Sequence, residues 1–139
     1  MSNREDEPPA LPFVEAPAWR TVAGGWRPLF GNFRDLGFSF EWHNFKAKEP
    51  LDWAKSFHPG SLELCLNLAG RARIEDPDQA SELGQHTVAF YYQGDPSLRA
   101  VRHERELHQF ITVEFAPDFL KQHLASQEEN LHPVIRSVV

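Results

Sequence analysis

The chain has 139 residues, of which 41% are hydrophobic and 12% aromatic, and its formal net charge is −6. This length and composition are typical of one globular domain with a packed core and argue against a disordered chain. The balance of 14 Lys and Arg against 20 Asp and Glu makes the chain by itself a poor binder of nucleic acid, because affinity for phosphates requires clustered cations.

Cysteine content and apolar runs narrow the class of protein further. Cys65 is the only cysteine, so no intrachain disulfide can form and a zinc site with two cysteines is excluded. No apolar run approaches the roughly 20 residues that a membrane span needs, and the first residues lack the pattern of a secretory signal. We therefore expect a cytoplasmic protein with no membrane association.

The first part of the chain is rich in proline and charge. Four prolines precede residue 18, which predicts an extended or partly disordered Pro-rich arm over residues 1–18. Turn-forming pairs such as Gly24-Gly25 and Pro59-Gly60 then recur at short intervals. Turn signals at that spacing predict many short strands.

Alternation of apolar and polar residues marks the strands between these turns. Phe38, Phe40 and Trp42 alternate with polar residues, as do four leucines over 62–68. The segments at 87–92 and 108–115 are rich in β-branched and aromatic residues, which strands favour. Residues 19–116 are therefore predicted to form an all-β sandwich or barrel, and the charged segment at 99–108 is expected to be an exposed edge.

A helix is predicted after residue 116. Pro117 begins it, and Phe119, Leu120 and Leu124 recur at helical spacing, so we expect one or two helices over 117–139. Their apolar stripe either caps the barrel or forms the two-fold interface of a homodimer, and we favour the homodimer. The last residues begin a further element, and we expect the native protein to continue past Val139.

The stretch at 58–70 resembles the first motif of the cupin superfamily. That motif contains two histidines separated by one residue, then a glutamate, then a glycine, and His58, Glu63 and Gly70 follow its spacing. In metal-binding cupins these histidines and the glutamate join a fourth histidine around one metal ion. The resemblance implies a small β-barrel whose interior holds the functional site.

The chain departs from the metal-binding pattern of that family. Ser56 stands where the first histidine is expected, and Phe90 stands where the second motif has a proline. We therefore expect no cofactor and a dismantled metal site. If a divalent metal is bound, its ligands would be His58, Glu63 and His108.

Longer stretches resemble one cupin branch, the N-terminal effector-binding and dimerisation domain of AraC-type transcription regulators. Residues 57–74, 83–124 and 131–139 carry this resemblance. It implies a single cupin-type β-barrel (jelly-roll) with one or two C-terminal helices, a small-molecule effector and a homodimer through the C-terminal helix. In that family DNA is bound by a helix-turn-helix domain C-terminal to the barrel, and such a domain is absent from these 139 residues.

The resemblance also decides which strand face is expected to point inward. It places Glu63 in the barrel interior with the leucines outside, whereas in the alternative the leucines fill the barrel and Glu63 meets water, which avoids burying an unpaired carboxylate. A structural, hydrogen-bonded role is the alternative for His108, and Cys65 is expected to be a buried small hydrophobe. The predicted ligand-binding residues are His58, Glu63, Cys65, Asn67, Trp42, Tyr92 and His108.

These features predict a sensor domain with no catalytic residues. It would bind a small polar effector, and this binding would change the state of a dimer or of an attached DNA-binding domain. The alternative is a metal-dependent cupin enzyme, an oxygenase or an isomerase. A stand-alone cupin with a structural or dimerising role is the third interpretation.

Overall fold

The computed structural model describes residues 25–53, 58, 60–75, 78, 80–92 and 98–136. The predicted arm at 1–18 and Ser56 lie outside these ranges. Within them the chain is mostly β, as the alternation predicts. The strands are β1 Trp26–Asn32, β2 Phe38–Lys46, β3 Leu51–Asp52, β4 Leu62–Ala69, β5 Ala72–Glu75, β6 Ala80–Leu83, β7 Thr87–Tyr92, β8 Arg99–Arg102 and β9 Leu107–Phe115.

The strands form two antiparallel sheets in the described part of the chain. The larger sheet has the order β1-β2-β9-β4-β7, and the smaller has the order β3-β8-β5-β6. The two sheets face each other around a shared apolar core, to which Phe45 and Phe110 contribute from the larger sheet and Ala72 and Ala100 from the smaller. The predicted all-β barrel is confirmed, although no described strand pair closes the two sheets into one.

The larger sheet has a polar inner face and an apolar outer face. In β4, Glu63, Cys65 and Asn67 are buried between the sheets, while Leu64 and Leu66 lie outside and are half-buried. The arrangement with the leucines outside is therefore confirmed. The same inversion holds in β2, where the residues that alternate with Phe38, Phe40 and Trp42 are the buried ones.

The smaller sheet corrects the expectation of an exposed edge at 99–108. β8 lies between β3 and β5, and both Ala100 and Arg102 on it are fully buried. The density of charge at 99–108 hides the strand period, which directs Ala100 and Arg102 inward and Arg99 outward. Glu104 and Arg105 in the turn that follows are exposed, as are Arg99 and Leu107.

Short helices accompany the larger sheet. The helices are α1 Phe33–Leu36, α2 Pro117–Leu124 and α3 Pro133–Arg136, with a 3₁₀ helix Ala125–Asn130 between the last two. Asn32 caps α1 by accepting the Asp35 N–H at 3.1 Å, and Gly37 ends it with a φ of 81° that favours glycine. None of the helices in the described ranges is long and apolar enough to span a membrane.

The apolar stripe of α2 packs against the outer face of its own sheet. Leu120 is 4% exposed and lies in one cluster with Leu62, and the Phe119 ring lies 5.1 Å from that of Phe38. The helix at 117 is thus confirmed, and its stripe covers part of the sheet, as the capping alternative expects. A homodimer through this helix stays a prediction.

Candidate functional site

Four polar side chains form one row across the inner face of the larger sheet. Strand register places Ser39 opposite Glu114, Glu114 opposite Glu63, and Glu63 opposite Tyr91. All four residues are at most 8% exposed. We call these four residues the acceptor row, because three of them carry a buried oxygen with no hydrogen-bond partner in the described residues: Ser39 Oγ, Glu63 Oε2 and Glu114 Oε2.

Glu63 stands at the end of a hydrogen-bond chain. The Trp53 Nε1–H donates to the Tyr91 hydroxyl at 3.0 Å, and that hydroxyl donates to Glu63 Oε1. Burial raises the pKa of Glu63 well above its usual value, and the nearby carboxyls of Glu114 and Glu41 raise it further. Burial and the neighbouring Glu63 likewise raise the pKa of Tyr91. The chain fixes one carboxyl oxygen and directs the other into the interior.

His58 contacts Glu114 rather than Glu63. Its backbone N–H donates to Glu114 Oε1 at 2.6 Å, and its ring Nδ1 lies 3.0 Å from the same oxygen. The ring stacks on Phe33 of α1 at a centroid distance of 3.8 Å. The His58 side chain is 20% exposed while Glu114 is 2% exposed, so this pair joins a buried carboxyl to a partly exposed ring.

A second histidine and a third glutamate lie on β2. Glu41 Oε2 accepts the Trp26 Nε1–H at 2.9 Å, and His43 Nε2 lies 2.9 Å from Thr112 Oγ1. Burial, with the Arg102 charge nearby, lowers the pKa of His43 well below its usual value. His43 is therefore a neutral ring at physiological pH.

Arg102 enters the interior from the smaller sheet. It donates to Asn67 Oδ1 at 2.5 Å and to Cys65 Sγ at 3.6 Å, and its guanidinium lies 3.7 Å from the centre of the Phe110 ring and 4.8 Å from that of Trp53. Burial raises the pKa of the Cys65 thiol to about 12, which fits the predicted unreactive cysteine. Asn67 and Cys65 thus hold a buried cation in place.

His108 lies far from the acceptor row. Its Nε2 lies 2.6 Å from the backbone oxygen of His103, and its Nδ1 faces Gly70. It stands six residues from Glu114 along β9, about 20 Å at the rise of a strand. Burial lowers its pKa. These contacts match the structural alternative for His108.

The three residues expected to bind a metal, if one is bound, are His58, Glu63 and His108, and they do not lie together. His58 contacts Glu114, Glu63 contacts Tyr91, and His108 lies at the other end of β9. No group of three or more His, Cys, Asp or Glu side chains in the described ranges is arranged to hold a metal ion. The residues present therefore do not fit the four-ligand metal site that the cupin resemblance implies.

Two predicted ligand-binding residues lie outside the interior. Trp42 shares the outer face of β2 with Phe40, and Tyr92 is 37% exposed beside Leu62. The structure therefore brings together Glu63, Cys65 and Asn67 on the inner face, places His58 against Glu114 of that face, and leaves Trp42 and Tyr92 on the opposite face.

Sequence reasoning misses several residues of the interior. One available signal was the inversion of β4: if Glu63 points inward between leucines, then Glu41 and His43, which alternate with Phe40 and Trp42, point inward as well. Nothing local marks Arg102, because Arg99, Glu104, Arg105 and Glu106 in the same segment are also charged. The missed residues are Glu41, His43, Tyr91, Arg102 and Glu114.

Solved structures with a similar fold include two cupin domains and a regulator. A cupin superfamily protein from Desulfitobacterium hafniense is 16% identical, with a TM-score of 0.50 over 66% of this chain and 75% of that chain. The cupin domain of Cnp3 from Schizosaccharomyces pombe is 10% identical, with a TM-score of 0.51 over 72% and 69% of the two chains. An HTH_3 family transcriptional regulator from Vibrio cholerae is 15% identical, with a TM-score of 0.52 over 72% of this chain.

The comparisons concern the fold. The match spans 58% of the Vibrio cholerae chain, less than two thirds of its length. No family model matches the sequence, and no curated protein sequence matches it. At identities of 10–16% structural likeness carries the fold and not the activity. With its two facing antiparallel sheets, this chain has a fold similar to that of these cupin domains.

Proposed function

We propose that this chain is the ligand-sensing and dimerisation domain of an AraC-type transcription regulator, which binds a small polar effector between its two sheets. One observation carries the proposal, namely that buried oxygens of Ser39, Glu63 and Glu114 on the inner face have no hydrogen-bond partner in the part of the chain that the structure describes. A polar effector that donates hydrogen bonds would satisfy them. Binding is therefore a better explanation of these residues than folding.

The energetic argument rests on what these residues cost the empty protein. A buried polar atom without a partner costs about 1–3 kcal/mol. Apolar side chains of similar size would remove that cost and would add hydrophobic stabilisation. The interior also offers the aromatic surfaces of Trp53 and Phe110, and small-molecule sites are mainly apolar with a few polar groups that fix orientation.

The position of Glu114 suggests how occupancy would reach other parts of the protein. It is the second-to-last residue of β9, three residues before Pro117 begins α2. A ligand that moves Glu114 would displace the start of the helix on which the predicted homodimer depends. Such coupling requires that the ligand bind one arrangement of the helix more tightly than another.

A metal-dependent enzyme has less support. His58, Glu63 and His108 contact three different partners rather than one another, so no open three-ligand face is formed. The likeness to an HTH_3 family regulator concerns the fold and is compatible with either function.

A thermal-shift screen of metal-free protein tests the sensing proposal. We expect at least one class among amines, sugars, carboxylates and amino acids to raise the melting temperature in a saturable way. A ligand at about 100 times its Kd adds about 2.7 kcal/mol to the free energy of unfolding. Ser39→Ala should weaken the response, and Glu104→Gln in the exposed turn should not. Stoichiometric metal with turnover, and no ligand response, would instead establish the enzyme.

The regulatory part needs a separate experiment. We expect the coding frame at the native locus to extend past Val139 into a basic helix-turn-helix domain. The full protein should then bind DNA with an affinity that changes when the effector found in the screen is added. Effector binding without any effect on DNA affinity or oligomeric state would contradict the regulatory role while leaving the sensing role intact.

A further inference from the structure

The interior carries several carboxyl groups on the larger sheet. Glu41 lies on β2, Glu114 on β9 and Glu63 on β4, which are three adjacent strands, and each is at most 4% exposed. The one buried guanidinium among the described residues, Arg102, donates to Asn67 and Cys65 instead of to any of these glutamates. Among the described residues the interior thus holds three carboxyl groups and one guanidinium.

Glu63 and Glu114 form the closest acidic pair by register. They are directly opposite on neighbouring strands, where side chains on one face start about 4.5–5.5 Å apart and like charges are unfavourable. Each has one engaged oxygen, Glu63 through Tyr91 and Glu114 through His58. The second oxygen of each is buried and has no hydrogen-bond partner among the described residues, so a positively charged donor placed between them would meet two acceptors.

Ser39 adds a neutral acceptor beside this pair. Ser39 is 8% exposed and lies on the inner face opposite Glu114. Its Oγ is buried and has no hydrogen-bond partner among the described residues. Two carboxylate oxygens and one hydroxyl oxygen therefore follow one row over three strands. A primary ammonium group presents three N–H donors and one positive charge, which corresponds in number and in sign to these acceptors.

We propose that the acceptor row binds the ammonium group of a small organic amine. This inference rests on the proposed function, because it names the chemical class of the effector for the same interior. The amine enters beside His58, whose side chain is 20% exposed, and its ammonium group donates to Ser39, Glu63 and Glu114. A divalent metal is the competing cation, but the described residues offer no group of three metal-ligating side chains arranged to hold one.

Four small probes separate the positive charge of the ligand from its N–H donors and from a metal ion. The n-butylammonium ion carries charge and three N–H donors, 1-butanol is its neutral analogue, tetramethylammonium carries charge without donors, and Mn²⁺ is the metal alone. We expect saturable one-to-one binding of n-butylammonium by calorimetry, with the other three at least about tenfold weaker, because a charge-assisted hydrogen bond typically exceeds a factor of ten in affinity.

Variants locate the binding in the acceptor row. Glu63→Gln should weaken n-butylammonium by at least about tenfold, Ser39→Ala should weaken it less, and Glu104→Gln should leave it unchanged. Amide spectra by NMR establish that each variant is folded, and Ser39→Ala keeps the test available if Glu63→Gln does not fold. Equal weakening by Glu104→Gln would overturn the assignment to this row.

The remaining outcomes distinguish this inference from the proposed function. Equal binding of tetramethylammonium, or tighter binding of Mn²⁺ that Glu63→Gln abolishes, would overturn the ammonium site. If n-butylammonium does not bind but a neutral or anionic ligand from the thermal-shift screen binds saturably, the inference is overturned and the proposed sensing function stands. No saturable ligand of any class would overturn both.

Discussion

The two faces of the five-stranded sheet reverse the usual distribution of residues. On the inner face His43, Glu63 and Thr112 are at most 1% exposed, whereas on the outer face Phe30 is 67% exposed and Val88 is 58% exposed. A sheet shaped by stability alone would bury its apolar face, since that contributes about 25 cal/mol per Å². The contrast agrees with the proposed binding role of the polar part of the interior, while stability comes from the aromatic part of the core and from the outer end that α2 covers.

The largest expected effect comes from replacing one phenylalanine on each face. Phe110 is fully buried, stacks on His43 at 4.3 Å and lies under the Arg102 guanidinium. Phe110→Ala should lower the free energy of unfolding by about 3–5 kcal/mol, because it leaves a cavity. Phe30→Ala on the outer face should change it by less than about 0.5 kcal/mol. Urea denaturation compares them, and similar losses would refute the contrast between the faces.

Two glycines with positive φ test how tightly the inner face is packed at its far end. A methyl group on Gly70 would lie 2.2 Å from His108 Nδ1, whereas no atom of the described residues lies within 4 Å of one on Gly60. Gly60→Ala should cost about 1–2 kcal/mol from backbone strain alone. Gly70→Ala should cost about 1–3 kcal/mol more, because His108 must move. Thermal unfolding measures both, and equal costs would show that His108 adapts freely.

The smallest expected effect is a pH dependence that belongs to Glu63. The folded protein holds the Glu63 proton more tightly than the unfolded chain, because burial raises its pKa above the usual 4.5. The free energy of unfolding should therefore fall as pH rises from about 4.5 toward the raised pKa, by at most about 1.4 kcal/mol per pH unit. Glu63→Gln should remove that slope and be more stable than the wild type at the high end of the range.

The control for this measurement is an exposed glutamate. Glu104→Gln should leave the slope in place, because Glu104 lies in an exposed turn. Buried His43 contributes a slope of the opposite sign, since its lowered pKa makes stability rise with pH up to about 6.5, its ordinary value. Only the difference between the wild type and Glu63→Gln therefore reports on Glu63, and a difference that does not vary with pH would contradict the raised pKa.

Much of the fold could be predicted from local patterns. The strand at 87–92 and the helix that begins at Pro117 occur where alternation and the proline signal place them. The inward direction of Glu63 followed from the spacing of a family motif and not from hydrophobicity, which favours burying the leucines. Trp42 and Tyr92 were assigned to the site as aromatic residues without reference to strand parity, and parity places them outside.

Part of the candidate site could not be predicted. The partner of His58 is Glu114, 56 residues away, and the cation beside Cys65 and Asn67 comes from a strand of the other sheet. Such contacts depend on register between distant strands and on the packing of one sheet against the other. Neither is contained in the local alternation of a single strand.

The sequence by itself determined the strands, their alternation, the helix start and the candidate Glu63, because these depend on spacing within short segments. Only the tertiary structure decided that Ser39, Glu114 and Glu63 form one row, that Tyr91 occupies one oxygen of Glu63, and that Arg102 donates its hydrogen bonds to Asn67 and Cys65. The physical reason is that burial and electrostatic coupling are set by distances between strands that meet only when the two sheets pack together.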